Sequence, residues 1–204
     1  KNNFVDETFE NLNINLAAIV NNNRSIVYIQ SFGFNGTCKI GTSEETKNLL
    51  SSDECIWTFS SQEDEISGIM LVDNQPMLVA TAPVLTSLGE GPIIGAMLFG
   101  KYIDEIELAD LSDIMNLNFS IGTASDLRLK NGGSHIVESL LSNGEIVVQE
   151  NNSDTMSGYA IISDIHSNPS LILQITHDRT IYQQGELVQN TFVVSSIAIS
   201  CCFG

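Results

Sequence analysis

A chain of 204 residues with 43% hydrophobic content holds enough apolar material for one large domain or two small lobes, which excludes a disordered chain. Its 25 Asp and Glu against 8 Lys and Arg leave a net charge of −17, which repels a phosphate backbone instead of releasing its counterions, so nucleic acid is excluded as a partner. The acids are scattered rather than blocked, so most are expected to form a solvated surface.

In chain order, the opening "NNFVDETFENLNINL" repeats Val5, Phe9, Leu12 and Leu16 at helical spacing and predicts a helix end. "NLAAIV" and "SIVYIQSF", joined by the polar "NNNR", predict a hairpin over residues 15–32. "GFNGTCKIG" reads as loop. In "TSEETKNLLSSDECIWTF", Ser43 ahead of two glutamates predicts a helix start, and Ser51 and Ser52 predict its weakening. Three strand-like runs follow, "ISGIMLVD", "QPMLVATAPVLT" and "PIIGAMLFGKYI", linked by "NQ" and "SLGEGP". Loops that short join antiparallel neighbours, so the middle of the chain is expected to be a meander.

"IDEIELADLSDIMNL" predicts a helix with Ile106, Ala109, Leu111, Ile114 and Leu117 along one side and acids along the other. A smaller set of elements then follows: strand "FSIGTA", a polar Gly-rich loop, helix "HIVESLL", strand "EIVVQE", and strands "SGYAIISDI" and "PSLILQITH" about the turn "HSNP". This predicts a second, smaller α+β lobe. After Glu186 the only ionisable side chains are Cys201 and Cys202, and Val, Ile, Ala and Phe dominate. Too short to span a bilayer, which takes roughly 20 apolar residues, the run reads as the first half of a spanning helix, with a buried core helix as the alternative.

Candidates for chemistry are few. None of His135, His166 and His177 sits in a catalytic motif, and the chain offers no CxxC pair. Strands joined by a short turn are able to bring His166 and His177 near one another, but their spacing matches no zinc signature, and an exposed histidine at a strand end is the commoner case for His177. No metal, cofactor or catalytic residue is expected. Cys38 and Cys55 are able to pair only in an oxidising compartment, and sequons at Asn23, Asn35, Asn118 and Asn151 give weak support for export. "GEGPIIGAMLFGK" lacks the phosphate-loop spacing, and Gly95 and Gly100 are expected to mark a bulge or a close approach of another backbone. Polar or aromatic groups among apolar strand positions nominate Tyr28, Trp57, Thr81, Phe99 and Lys101 as ligand contacts, with packing or plain exposure as the alternative for each.

Taken together, "INLAAIVNNNRSIVYIQ", "PMLVATAPVLTSLGEGPIIGAMLFGKYID" and "SGYAIISDIHSNPSLILQITHDRTIYQQG" leading into an apolar helix resemble the fourth class of CHASE domains, extracytoplasmic sensors of prokaryotic, often archaeal, histidine kinases and cyclases. The resemblance implies an α+β fold with a PAS/Cache-like central antiparallel sheet flanked by helices, a second smaller α+β lobe and terminal helices leading to the membrane. The expected organisation is the end of an N-terminal helix over 1–13, a main sensor lobe over 14–117, a smaller membrane-proximal lobe over 118–177, and an exit helix over 178–204 running into a truncated transmembrane segment. It further implies a signal-transmitting junction at Arg179, Tyr182, Gln184 and Gly185.

The function expected on this basis is non-catalytic sensing of a small molecule or physical cue at the cell membrane, outside the cytoplasm, with transmission through the C-terminal helix to a kinase. A homodimer is expected through the terminal helices, where Leu187, Thr191, Val194, Ala198 and Cys201 form a seam at helical spacing. The alternative is a membrane-anchored adhesion or interaction module, which the sequons and acidic surface suit equally. A secreted hydrolase would need a convergent nucleophile and base that the chain does not display.

Overall fold

The computed structural model describes residues 11–33, 39–86, 92–130, 132–144 and 146–179, with Gln189, Thr191 and Val193 beyond them. The chain divides into two compact units: residues 1–107 with Ser163–Ser170, and Leu108–Ile162 with the residues from Leu171 onward.

The first unit is built on a six-stranded sheet of order β3-β2-β1-β6-β5-β4. Its strands are β1 (Leu16–Asn21), β2 (Ile26–Phe32), β3 (Lys39–Ile40), β4 (Ile66–Val72), β5 (Gln75–Val84) and β6 (Gly95–Tyr102). Every pairing is antiparallel. The hairpin expected over 15–32 is β1–β2, and its turn is held by the Asn21 side-chain oxygen, which accepts the amides of Asn23 and Ser25 at 3.0 Å each. The meander is β4–β5–β6. Its first turn is Asp73–Asn74, one residue earlier than the Asn-Gln pair expected, because both turn residues take positive φ, 49° and 61°. Asp and Asn tolerate that conformation, whose twist matches the flanking strands.

Helix α1 (Glu44–Ser52) starts where expected, with the Ser43 hydroxyl accepting the Thr46 amide at 2.9 Å and Glu44 and Glu45 in its first turn. At its other end the Trp57 indole donates to the Leu50 carbonyl at 2.7 Å, satisfying one of the acceptors that a helix end leaves open. Trp57 belongs to a short 3-10 turn, Cys55–Trp57. Leu50, Ile56 and Trp57 pack with Leu16, Ala18, Val20, Met70, Met77, Val79 and Leu98 into the main core. The other face of the sheet carries a smaller cluster of Ile14, Ala17 and Phe32, with Tyr28 and Phe99 against it.

Gly95 marks a close backbone approach, since a Cβ there would run into the Val20 carbonyl, whereas a Cβ on Gly100 would run into a side chain, at the Met77 sulfur. The residues 163–170 complete this unit. Ile165 donates its amide to the Ile69 carbonyl at 2.8 Å and lays its side chain on Gly68, where a Cβ would lie 3.1 Å away.

The second unit has a four-stranded sheet of order β7-β10-β9-β8, from β7 (Asn118–Gly122), β8 (Val147–Glu150), β9 (Thr155–Ser163) and β10 (Pro169–Asp178). Its core joins Leu127, Ile136, Val137, Leu140, Tyr159 and Ile172. Helix α2 (Glu105–Met115) spans the break between the units. It forms where expected, but its apolar stripe does not face inward: the helix buries no residue, and Ile106, Leu111 and Ile114 are 62%, 46% and 81% exposed. Amphipathic spacing defines a stripe without supplying the surface that covers it.

The Gly-rich stretch expected as loop contains a short helix, α3 (Ala124–Arg128), opened by a reciprocal cap in which Thr123 and Asp126 each bond the other's backbone amide. Helix α4 (Gly133–Asn143) follows and stops at Gly144, whose φ of 64° is the left-handed conformation that favours glycine at a helix end. Among the described residues no helix is long and apolar enough to cross a membrane. The expected half-span lies outside the described residues, as do Leu187, Val194, Ala198 and Cys201 of the proposed seam; Thr191 is an exposed helical residue.

Candidate functional site

Strand alternation and register divide the nominated residues between the two faces of the first sheet. Phe99 stands beside Ala17 and Ala80 in one row, and Lys101 beside Leu78 in the next, all on the face away from the main core. Tyr28 packs against the cluster on this face. Thr81 is 1% exposed and shares the core face with Met77 and Val79, its hydroxyl donating to the Ile66 carbonyl at 3.4 Å. Trp57 also lies on the core side, with its one donor already used on Leu50.

Phe99 and Lys101 therefore come together, whereas Trp57 and Thr81 are held apart from them by the sheet itself. The two converge on a cavity of about 450 Å³ whose lining is otherwise mostly apolar, including Ile14, Leu78, Val79 and Ala80. Ser67 supplies a hydroxyl. The Lys101 ammonium is paired with Glu107 at 2.6 Å, both side chains about 30% exposed. Among the nominated residues only Trp57 borders a second hollow, about 280 Å³ at the ends of β1 and β6, with Arg24 and Phe59. Arg24 is occupied there by Glu54 at 2.8 Å. The larger, apolar hollow has the character of small-molecule sites, where a few polar groups orient a mostly apolar ligand.

A third arrangement in the first unit escaped sequence reasoning. Asp53, immediately after α1, accepts the Cys55 amide on Oδ1 at 3.0 Å, and its Oδ2 lies 2.8 Å from Nε2 of His166. His177 is an exposed residue at the far end of β10, away from His166, where Nδ1 meets the Asp178 carbonyl. The position of His166 comes from Asp164. That carboxylate accepts the amides of His166 and Asn168 at 2.9 and 2.8 Å and the Ser170 hydroxyl at 3.0 Å. Burial raises the Asp164 carboxyl, but these bonds outweigh it and hold the group below the usual aspartate range. No sequence signal links positions 53 and 55 to 166; only the fold joins them.

At the end of β10, Arg179 anchors the chain to the β8–β9 turn. Its amide donates to the Asp154 carbonyl at 2.7 Å, and its guanidinium pairs with Glu150 at 2.9 Å. Tyr182, Gln184 and Gly185 lie outside the described residues.

The chain is thus a mixed α+β protein with antiparallel sheets, and its first unit carries an apolar hollow beside Lys101. The chain belongs to the CHASE4 domain family, whose model matches residues 1–122. It is 24% identical over 155 residues to the methanogenesis regulatory histidine kinase FilI of Methanothrix harundinacea (strain 6Ac), a match covering 76% of this chain and 17% of that protein. The chain thus spans about a sixth of the length of that relative. Among solved structures it is similar to the extracellular domain of a protein described as a histidine kinase, vpHK1S-Z8, at 12% identity and a TM-score of 0.45, covering 89% of this chain and 74% of that one.

Proposed function

We propose that this CHASE4 domain is the extracytoplasmic sensing part of a membrane histidine kinase, and that a small, largely apolar molecule occupies the hollow beside Phe99 and Lys101. The observation that carries the reading is the coincidence of the family match over residues 1–122 with a 450 Å³ apolar cavity inside that same stretch. The antiparallel sheet with α1 against one face supports the Cache-like classification. Transmission runs from the end of β10, fastened by Arg179, through the C-terminal helix, with Tyr182, Gln184 and Gly185 in the junction. The assembly is a homodimer held by its terminal helices in the membrane.

A thermal-shift screen of metabolites against this domain tests the ligand, since a molecule that prefers the native state raises the melting midpoint by mass action. Ala80 is exposed and adjoins Phe99 on the cavity face, so Ala80→Phe fills the hollow without disturbing the core. A ligand of this site stabilises the wild type and not Ala80→Phe. A screen whose every stabilising molecule acts equally on both proteins refutes the assignment of the cavity.

A further inference from the structure

The cluster at Asp53, Cys55 and His166 plays no part in the cavity, and it has the make-up of a metal site. One ligand atom from each residue lies within 4.8 Å of the other two. Four-coordinate zinc, with Zn–N and Zn–O near 2.0 Å and Zn–S near 2.3 Å, requires ligand atoms about 3.3–3.5 Å apart, so small side-chain adjustments suffice. The donor set of thiolate, imidazole and carboxylate suits zinc among the common divalent ions and does not suit magnesium or calcium, which take oxygen ligands.

A second observation points the same way. The Asp53 side chain is only 7% exposed, and its Oδ2 is buried with no hydrogen bond of usable geometry, even though His166 Nε2 faces it at 2.8 Å. A buried carboxylate oxygen left without a properly aligned donor is costly, and a cation between it and the imidazole removes that cost. The surroundings prepare both ligands. The Cys55 amide fixes Asp53 through Oδ1, leaving Oδ2 to face the cluster, and Asp164 Oδ2 stands 4.0 Å from His166 Nδ1. That separation is too long for a hydrogen bond to the ring, so Asp164 positions His166 through its backbone amide, at 2.9 Å. Cys55 is an exposed free thiol, so an ion has an entry path.

We infer that Asp53, Cys55 and His166 form a site for zinc or a similarly thiophilic divalent cation, with Asp164 positioning His166 and the fourth position open to water or an exchangeable ligand. The ion ties the tip of the β9–β10 hairpin to the segment after α1. The inference is independent of the cavity and of the kinase assignment.

Titration of the reduced domain with Zn²⁺ alone, followed by calorimetry, is expected to show one saturable site, with Mg²⁺ giving none. Cys55→Ser and His166→Gln each weaken Zn²⁺ binding tenfold or more. Co²⁺ in place of Zn²⁺ is expected to give a thiolate-to-cobalt charge-transfer absorption that disappears in Cys55→Ser, an exposed position whose replacement leaves the circular dichroism of the metal-free protein unchanged. Absence of one-to-one saturation, or a cobalt absorption that survives Cys55→Ser, overturns the assignment.

Discussion

The side-chain oxygen of Asn15 accepts the Tyr102 amide at 2.9 Å, joining the residue before β1 to the end of β6 across 87 positions of sequence. The same side chain donates to the Gly33 carbonyl at 2.8 Å, and only 2% of the residue is exposed. Asn15 therefore completes the sheet at the corner where β1, β2 and β6 end.

Replacing Asn15 by Ala leaves a partly buried amide and a partly buried carbonyl without these partners. The expected cost is about 1–2 kcal/mol, since partly buried groups regain some hydration. Urea unfolding followed by the fluorescence of Trp57, the single tryptophan, measures it. Asn15→Asp is also expected to destabilise, because a carboxylate then faces the Gly33 carbonyl where a donor stood. Wild-type stability in both variants would show that the corner does not depend on Asn15.

Two strand glycines differ in their surroundings and predict opposite outcomes. A Cβ at Gly95 meets the Val20 carbonyl, whereas one at Gly158 in β9 meets nothing within 4 Å. Gly95→Ala must push β1 from β6 and is expected to cost about 2 kcal/mol or more. Gly158→Ala is expected to be neutral or to stabilise by about 0.5 kcal/mol, through the loss of freedom in the unfolded chain. Thermal melts of the two variants, side by side, decide the point.

Acid sensitivity follows from the cap of α3. The Thr123 hydroxyl and amide bond the Asp126 carboxylate and, with a smaller contribution from Lys130, outweigh a slight burial effect to lower its pKa. A depressed native pKa contributes stability that is fully present above the unfolded value, near pH 4, and is lost as the pH falls through the native one. Between pH 5 and pH 3, the wild type is therefore expected to lose more stability than Asp126→Asn. Melting curves across that range check it, and parallel losses would count against the cap.

The parts of the fold legible in the sequence were those written locally. Ser43 before two glutamates marked α1, and apolar runs broken by Asn- and Asp-rich turns marked the hairpins, because turn and cap chemistry act over a few residues. The Thr123-x-x-Asp126 pattern is equally local and marks the start of α3, although "FSIGTA" reads as strand up to Ala124 and the glycines that follow favour a loop. The nominated cavity residues were harder to judge. Which face a strand residue occupies depends on register: Phe99 and Lys101 share the hollow while Thr81, on the neighbouring strand, points into the core. The pairing of Asp53 with His166 was out of reach, since it arises only when the tip of the β9–β10 hairpin lies near the end of α1. The exposure of Ile106, Leu111 and Ile114 was likewise unreadable, because spacing says nothing about what packs on a stripe.

The most direct test of the sensing account is phosphate incorporation by the full-length protein in lipid bilayers, with and without a molecule found in the thermal screen, for wild type and Ala80→Phe. The account predicts that the molecule changes the phosphorylation rate of the wild type and leaves that of Ala80→Phe unchanged. A full-length protein that carries no kinase, or a rate indifferent to a molecule that demonstrably fills the cavity, would contradict it.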